Sequence, residues 1–336
     1  MILDVAPEMR DIGLSTAVLI ARGLDNSKTV PELLAYRKVA GKRLASAWKS
    51  RFVSEHPAIQ EYHRVHELFG VKDTRPAPEE LVQYVRRNRD FTASGAVIDC
   101  YNVASARTLL SMGAHDLDRL ELPIAFRRTT QLDTFQPLGT VEGQDVREEF
   151  GYVDVRGRVI CRMDVLQCDW SKVTKSTRNV VFFIQGNRFL PASVLLKGSW
   201  LLAETVTRFC GGEIELAEFS VAGAAQFSTF SKPTISFESF QRLKLQAGTV
   251  LAAAPLAGMD LCAVTVHTNT PVRALAPFNL QDAVGRKVLL ATNLFPLRIG
   301  DLRFTAYIPM LHIGNTSGVQ VPPYLTNDVP DGAKAY

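Results

Sequence analysis

Between residues 31 and 69 the apolar positions Leu33, Leu34, Tyr36, Val39, Leu44, Ala47 and Trp48, then Ile59, Tyr62, Val65, Leu68 and Phe69, return every three or four residues. That period lays one apolar stripe along a helix. It predicts two amphipathic helices parted at His56-Pro57, since proline disfavours helical geometry in the residue before it. A third helix opens in PAPEELVQYVRR, where proline and acids occupy the first turn, the end whose free N–H groups and dipole favour them. From residue 97 to 184 the texture changes. AVIDCYNV, PIAFRR, GYVDVRGRVICRMDV and TRNVVFFIQG read as short strands separated by turns, with one short helix over 104–111. A further helix over 195–210 stops at Gly211-Gly212, a pair able to take a left-handed cap.

The stretch QFSTFSKPTIS, residues 226–236, has weak periodicity of either kind and reads as a linker, with the boundary near Pro233. Beyond it, LQAGTVLAAA, DLCAVTVHT, VRALAP, RKVLLATNL and FTAYIPML have the spacing of strands in a small all-β barrel. The expected fold class is α+β followed by an all-β barrel. Its divisions are a helical N-terminal extension over 1–92, a mixed α/β domain over 93–225, the linker, and a barrel domain over 237–336. A length of 336 residues suits two domains.

Composition narrows the function classes. The longest apolar runs, such as 180–184 and 288–291, are too short to span a bilayer, and the N-terminus has early acids and no apolar core of signal-peptide type. The expectation is a cytoplasmic protein with no membrane partner. Five cysteines are scattered without a C-x-x-C pair, so neither a disulfide framework nor a zinc site is signalled, and buried free thiols are expected. His63 and His66, three apart on a helix, read as an exposed polar pair; no metal or other cofactor is expected. A net charge of +4 permits nucleic-acid contact without demanding it. The basic runs YRKVAGKR and YVRRNR read as solvated helix faces. No Gly-rich phosphate loop is present, which argues against ATP-dependent chemistry.

The C-terminal segment carries Phe237 and Phe240 leading into a strand, Asp260-Leu261, Val284-Gly285-Arg286-Lys287, and Ala291-Thr292-Asn293-Leu294-Phe295-Pro296. In that order these resemble the tRNA-binding OB domain found at the end of some methionyl-tRNA synthetases and as stand-alone dimers. The resemblance implies a five-stranded barrel holding RNA through Arg286, Lys287, Asn293, Arg298 and Arg303, and homodimer contacts through the same domain. It further implies that Arg286 and Lys287 lie in the turn before one strand and Arg298 in the turn after it. Two departures thin the RNA face. Leu297-Arg298 stands where the family has two adjacent basic residues, and Thr305-Ala306-Tyr307-Ile308 replaces its Ser-x-Gly-Met strand. Beyond residue 236, eight Lys or Arg face six Asp or Glu, while phosphate binding grows with the number of neutralised charges.

Residues 94–128 and 151–186, anchored by Ser171-x-Val173-x-x-x-Thr177-x-Asn179-Val180, resemble the B3/B4 domain that edits mischarged tRNA in the β subunit of phenylalanyl-tRNA synthetase. The resemblance implies a pocket for the aminoacylated acceptor end of tRNA. Such a site hydrolyses an already activated ester by positioning one water, without a nucleophile or metal. Carried over by position, Asn102 matches the family's editing asparagine, although it can instead cap a helix. Gly113 stands where the family has a histidine, and His115 is the candidate substitute. Phe183 replaces the glutamate that accepts from a tyrosine hydroxyl, which removes that specificity. The catalytic candidates are therefore Asn102 and His115. The pocket candidates are Tyr101, Gly113, Arg162, Thr174, Thr177 and Phe183, with Asp164, Lys172 and Lys175 at the mouth. The reading to be tested is a tRNA-binding editing hydrolase acting in trans. Its alternatives are a non-catalytic tRNA or protein adaptor with a vestigial pocket, and a receptor for an amino-acid-type small molecule.

Overall fold

The computed structural model describes residues 1–27, 30–72, 74–222, 242–277, 280–309, 311–313, 319–321, 324–326 and 328–335. The chain divides into two compact units, residues 1–225 and 226–336. The expected linker over 226–236, with Phe237 and Phe240, lies outside the described residues.

The first unit opens with strand β1 (Leu3–Val5), helix α1 (Pro7–Asp11) and strand β2 (Leu14–Arg22) before its long helices α2 (Pro31–Ala47), α3 (Pro57–Leu68) and α4 (Ala77–Asn88). The first 92 residues are thus more than a helical extension. β2 pairs with β8 (Val180–Asn187) on one side and β9 (Glu213–Ser220) on the other, and β3 (Ser111–Asp116) adds to β8, giving an antiparallel β9-β2-β8-β3 sheet. Helix α5 (Ala96–Thr108) precedes β3, and α6 (Ala192–Cys210) links β8 to β9. AVIDCYNV, expected as a strand, is therefore the opening of α5. Its buried Ala96, Val97, Cys100, Val103 and Ala104 recur at three and four, so the helical period outweighs the local β-rich composition.

A second sheet has the order β1-β4-β5-β6-β7, with β4 (Ile124–Arg128), β5 (Phe150–Val153), β6 (Val159–Arg162) and β7 (Leu166–Gln167). Leu14, Val18 and Ile20 of β2 and Val181 and Phe183 of β8 share one core with Phe126, Phe150, Tyr152 and Val159 of this sheet. Strand alternation turns the other face of β2 and β8 toward α6, which packs on both. Covered on both faces, the two strands are almost wholly buried, which is why they read as unbroken apolar runs.

The second unit is built from β10 (Leu245–Pro255), β11 (Cys262–His267), β12 (Pro271–Ala276), β13 (Lys287–Ala291), a β14–β15 hairpin (Leu297–Ile299 and Leu302–Phe304) and β16 (Ala306–Tyr307). The long β10 pairs with β13 through its first half and β11 through its second, with a bulge between Val250 and Ala252. β12 pairs with β16 in parallel and β16 with β13 antiparallel, which closes a five-stranded barrel. Gly248 sits where β10 bends between partners; a Cβ there would lie 2.7 Å from the His267 carbonyl oxygen. The interior is filled by small and branched residues including Val250, Val264, Ala274, Ala276, Val288, Leu290 and Ala306, as a narrow barrel requires. An α+β unit followed by a closed barrel is the architecture expected from the chain's patterning.

Candidate functional site

β3 and β8 pair with Ser111 opposite Gln185, Gly113 opposite Phe183 and His115 opposite Val181. Alternation then brings Ser111, Gly113, His115, Phe183 and Gln185 to one face, where they meet Tyr152 of β5, Cys161 of β6 and the following Met163 and Asp164 around a cavity. Its volume is about 10 Å³, room for one water-sized sphere. Aromatic rings occupy the space around it. Tyr152 stacks on Phe126 at 4.3 Å between ring centroids, Phe183 lies 4.8 Å from Tyr152, and the His115 ring is 6.0 Å from Phe183.

His115 is fully buried, and Nδ1 is 2.8 Å from the Ser171 hydroxyl oxygen. Burial pushes its pKa down from 6.5 to about 3, so the imidazole is neutral at physiological pH. Ser171 in turn contacts Cys168 Sγ at 2.9 Å. Across the cavity, His66 Nε2 of α3 lies 2.5 Å from Asp164 Oδ1, with the two side chains 1% and 0% exposed. The expected exposed pair of histidines is thus corrected. His66 is a buried partner of Asp164, and His63, half-buried, bonds Glu79 at 2.6 Å. Burial alone would lower the His66 pKa, but the charge and hydrogen bond of Asp164 outweigh it and raise the value. Tyr62 of α3 donates to the Gln185 carbonyl oxygen at 2.8 Å, fixing α3 to β8 beside the same cavity.

The remaining expected residues fall elsewhere. Asn102 lies within α5, so it caps no helix, and it is not among the residues lining the cavity; the structure does not bring it together with His115 there. Tyr101 bonds Gln167, and burial pushes its phenol up to about 12. The Gln167 amide nitrogen would lie 2.7 Å from a Cβ on Gly113, so glycine is what leaves room for that side chain. Arg162 is held by both oxygens of Glu149 at 2.5 and 2.7 Å. Thr177 donates to Asp116 Oδ2 at 2.7 Å and accepts from the Thr174 backbone N–H, a turn-forming role for both threonines. Lys172 pairs with Asp169 at 2.8 Å. Sequence reasoning missed Ser111, Tyr152, Cys161, Met163 and Gln185; the period-two spacing of 111, 113 and 115 and of 183 and 185 carried a usable signal for the first and last. All five cysteines are free. Among the described residues no group of three His, Cys, Asp or Glu side chains is placed to hold a metal, and no helix is long and apolar enough to cross a membrane.

In the barrel, several expected RNA-binding side chains have protein partners. The Arg286 guanidinium stacks 4.4 Å over the Tyr324 ring. Lys287 begins β13, and its Nζ is 2.6 Å from Asp331 Oδ1 and 3.3 Å from the Thr249 hydroxyl. Burial would raise the Asp331 pKa, but the bonds from Lys287 and Thr249 hold it below the usual carboxylate value. Asn293 donates to the Arg242 carbonyl oxygen at 2.6 Å and accepts from the Lys244 N–H at 2.8 Å, tying the end of β13 to the start of β10. Arg298 is not in a turn: it stands in β14 directly opposite Arg303 of β15, and both are exposed.

The B3/4 domain family model matches residues 64–196. The first unit carries a B3/4 domain. The cavity, Asp164, His66 and His115 all belong to the matched stretch. The phenylalanine–tRNA ligase beta subunit of Pyrobaculum aerophilum is 22% identical over 187 residues, which is 50% of this chain and 34% of that protein, so the chain spans about a third of the relative's length. Among solved structures, an N-terminal fragment of the phenylalanyl-tRNA synthetase beta subunit from Pyrococcus horikoshii matches 73% of this chain and 55% of its own at 15% identity, with a TM-score of 0.37. A MetRS related protein from Pyrococcus horikoshii matches over all of its length and 31% of this chain, at 15% identity and a TM-score of 0.28. The chaperone CsaA from Bacillus anthracis gives the same coverages at 20% identity and a TM-score of 0.27.

Proposed function

We propose that this chain is a tRNA-associated binding protein whose B3/4 domain serves as a packed scaffold, with the barrel contributing contact to RNA. The B3/4 relationship to a phenylalanine–tRNA ligase subunit supports the tRNA connection. The observation that carries the non-catalytic part is the cavity of about 10 Å³. Sites that enclose small organic ligands measure about 300 Å³ or more. An aminoacylated adenosine does not fit where Tyr152, Phe183 and Met163 close the space, and the asparagine expected to orient the ester is not at the cavity. Exposed Arg298 and Arg303, opposite each other on one hairpin, support a phosphate-facing surface in the barrel unit.

One observation favours editing hydrolysis as the second reading: polar His115, Asp164, Gln185 and Ser111 line the cavity that remains. A deacylation screen with a full panel of mischarged aminoacyl-tRNAs separates the two. Scaffold function gives no hydrolysis above the spontaneous rate while tRNA is bound with a salt-dependent affinity. Turnover of one substrate, abolished in His115→Ala, overturns the scaffold reading; absence of any tRNA binding overturns both.

A further inference from the structure

His115 Nε2, Asp164 Oδ2 and Gln185 Nε2 are buried and have no hydrogen-bond partner among the described residues, and all three residues line the same cavity. Burying such groups unsatisfied is costly, more so for a charge, so native structures satisfy them with protein or with ordered water. The cavity volume of about 10 Å³ matches one water, and an internal water typically makes about three hydrogen bonds. We infer that the B3/4 core of this protein holds a single internal water, fixed by Asp164, His115 and Gln185 between the two sheets.

The donor and acceptor balance selects water over other small occupants. The Gln185 amide oxygen faces the Tyr152 hydroxyl at 3.4 Å, which leaves the amide N–H₂ as a donor toward the cavity. Asp164 Oδ1 is taken by His66, leaving Oδ2 as an acceptor. His115 is neutral and carries one ring proton; in the tautomer whose Nδ1–H donates to the Ser171 hydroxyl, Nε2 is a second acceptor. One water accepts from Gln185 and donates to Asp164 and His115, satisfying all three atoms. A metal cation cannot accept from the amide, and an anion meets the Asp164 carboxylate. The inference is independent of the tRNA reading, since it needs only the packing of the first unit.

Two measurements on the full chain test it. A crystal structure at a resolution that shows ordered solvent should contain one peak within about 2.6–3.2 Å of His115 Nε2, Asp164 Oδ2 and Gln185 Nε2. Oxygen-17 relaxation dispersion should lose one long-lived water in Gln185→Met, which keeps the side-chain length and deletes the donor. An empty cavity, a His115 ring turned to bond Asp164 directly, or density for a larger or metallic occupant overturns the inference, as does an unchanged dispersion amplitude in a folded Gln185→Met. Should that variant not fold, the wild-type density decides alone.

Discussion

Replacing His66 with Ala is expected to destabilise the first unit by about 3–5 kcal/mol, the cost of breaking a buried ion pair by removing one partner. The size follows from position. The two side chains are 1% and 0% exposed, and the 2.5 Å contact with His66 is what compensates Asp164 inside the core. Without the imidazole, a buried carboxylate is left to an interior that cannot solvate it. Removing both groups, as His66→Leu with Asp164→Leu, deletes the stranded charge and should cost at least about 2 kcal/mol less than the two single changes combined. The three tryptophans, Trp48, Trp170 and Trp200, all lie in residues 1–225, so urea unfolding followed by tryptophan fluorescence reports that unit alone. A pH series supplies an independent check. The His66 pKa is raised above 6.5 in the folded unit, so its contribution is whole below pH 6.5 and is lost as pH climbs through the folded value. His66→Ala should lack that alkaline loss. A single-variant cost under about 1 kcal/mol, additive energies in the cycle, or the same pH slope in wild type and variant would refute the reasoning.

The neutral, buried His115 acts in the opposite direction. Its folded pKa of about 3 lies below 6.5, so between those values the unfolded chain binds the extra proton and stability falls as pH falls, by about 1.4 kcal/mol per unit at the steepest. His115→Phe should flatten that acid limb in the same fluorescence-detected titration. In the barrel, Lys287→Ala should lower stability by about 0.2–1 kcal/mol, because Asp331 is partly exposed and keeps the Thr249 hydroxyl as a donor, whereas Arg303→Ala should weaken salt-dependent tRNA binding without destabilising the barrel. Calorimetry and a salt titration distinguish the two roles. Arg303→Glu replaces a like-charge pair across the β14–β15 hairpin with an opposite-charge one, so stability should rise by about 0.2–1 kcal/mol while RNA affinity drops. Unchanged affinity in Arg303→Glu would remove the hairpin from the RNA surface.

The order of elements was legible because local periodicity and turn chemistry decide them. Helices α2, α3, α4 and α6 and strands β10 to β13 were all foreshadowed by patterning, and the closed barrel by strand spacing and resemblance. The opening of α5 was misread because AVIDCYNV is rich in residues that favour strands, although its apolar positions keep a helical period that packing against α2, β3 and α6 buries. The N-terminal strands escaped for a similar reason. LSTAVLIAR has no alternation, because a central strand covered on both faces has no polar side to mark it.

The candidate site was legible only in part. Gly113, His115 and Phe183 were implied by the family resemblance alone; it is the β3–β8 register that puts them on one face. Tertiary structure decided the rest: His66, 98 residues before Asp164, became its partner, Asn102 was left off the cavity, and Lys287 was matched to Asp331. The physical reason is that strand and helix periods are set by neighbours a few positions away. Whether a polar side chain ends paired, buried or exposed depends on which distant element arrives beside it, and in this protein the two sheets closing on each other left space for one water where the family resemblance had implied a substrate.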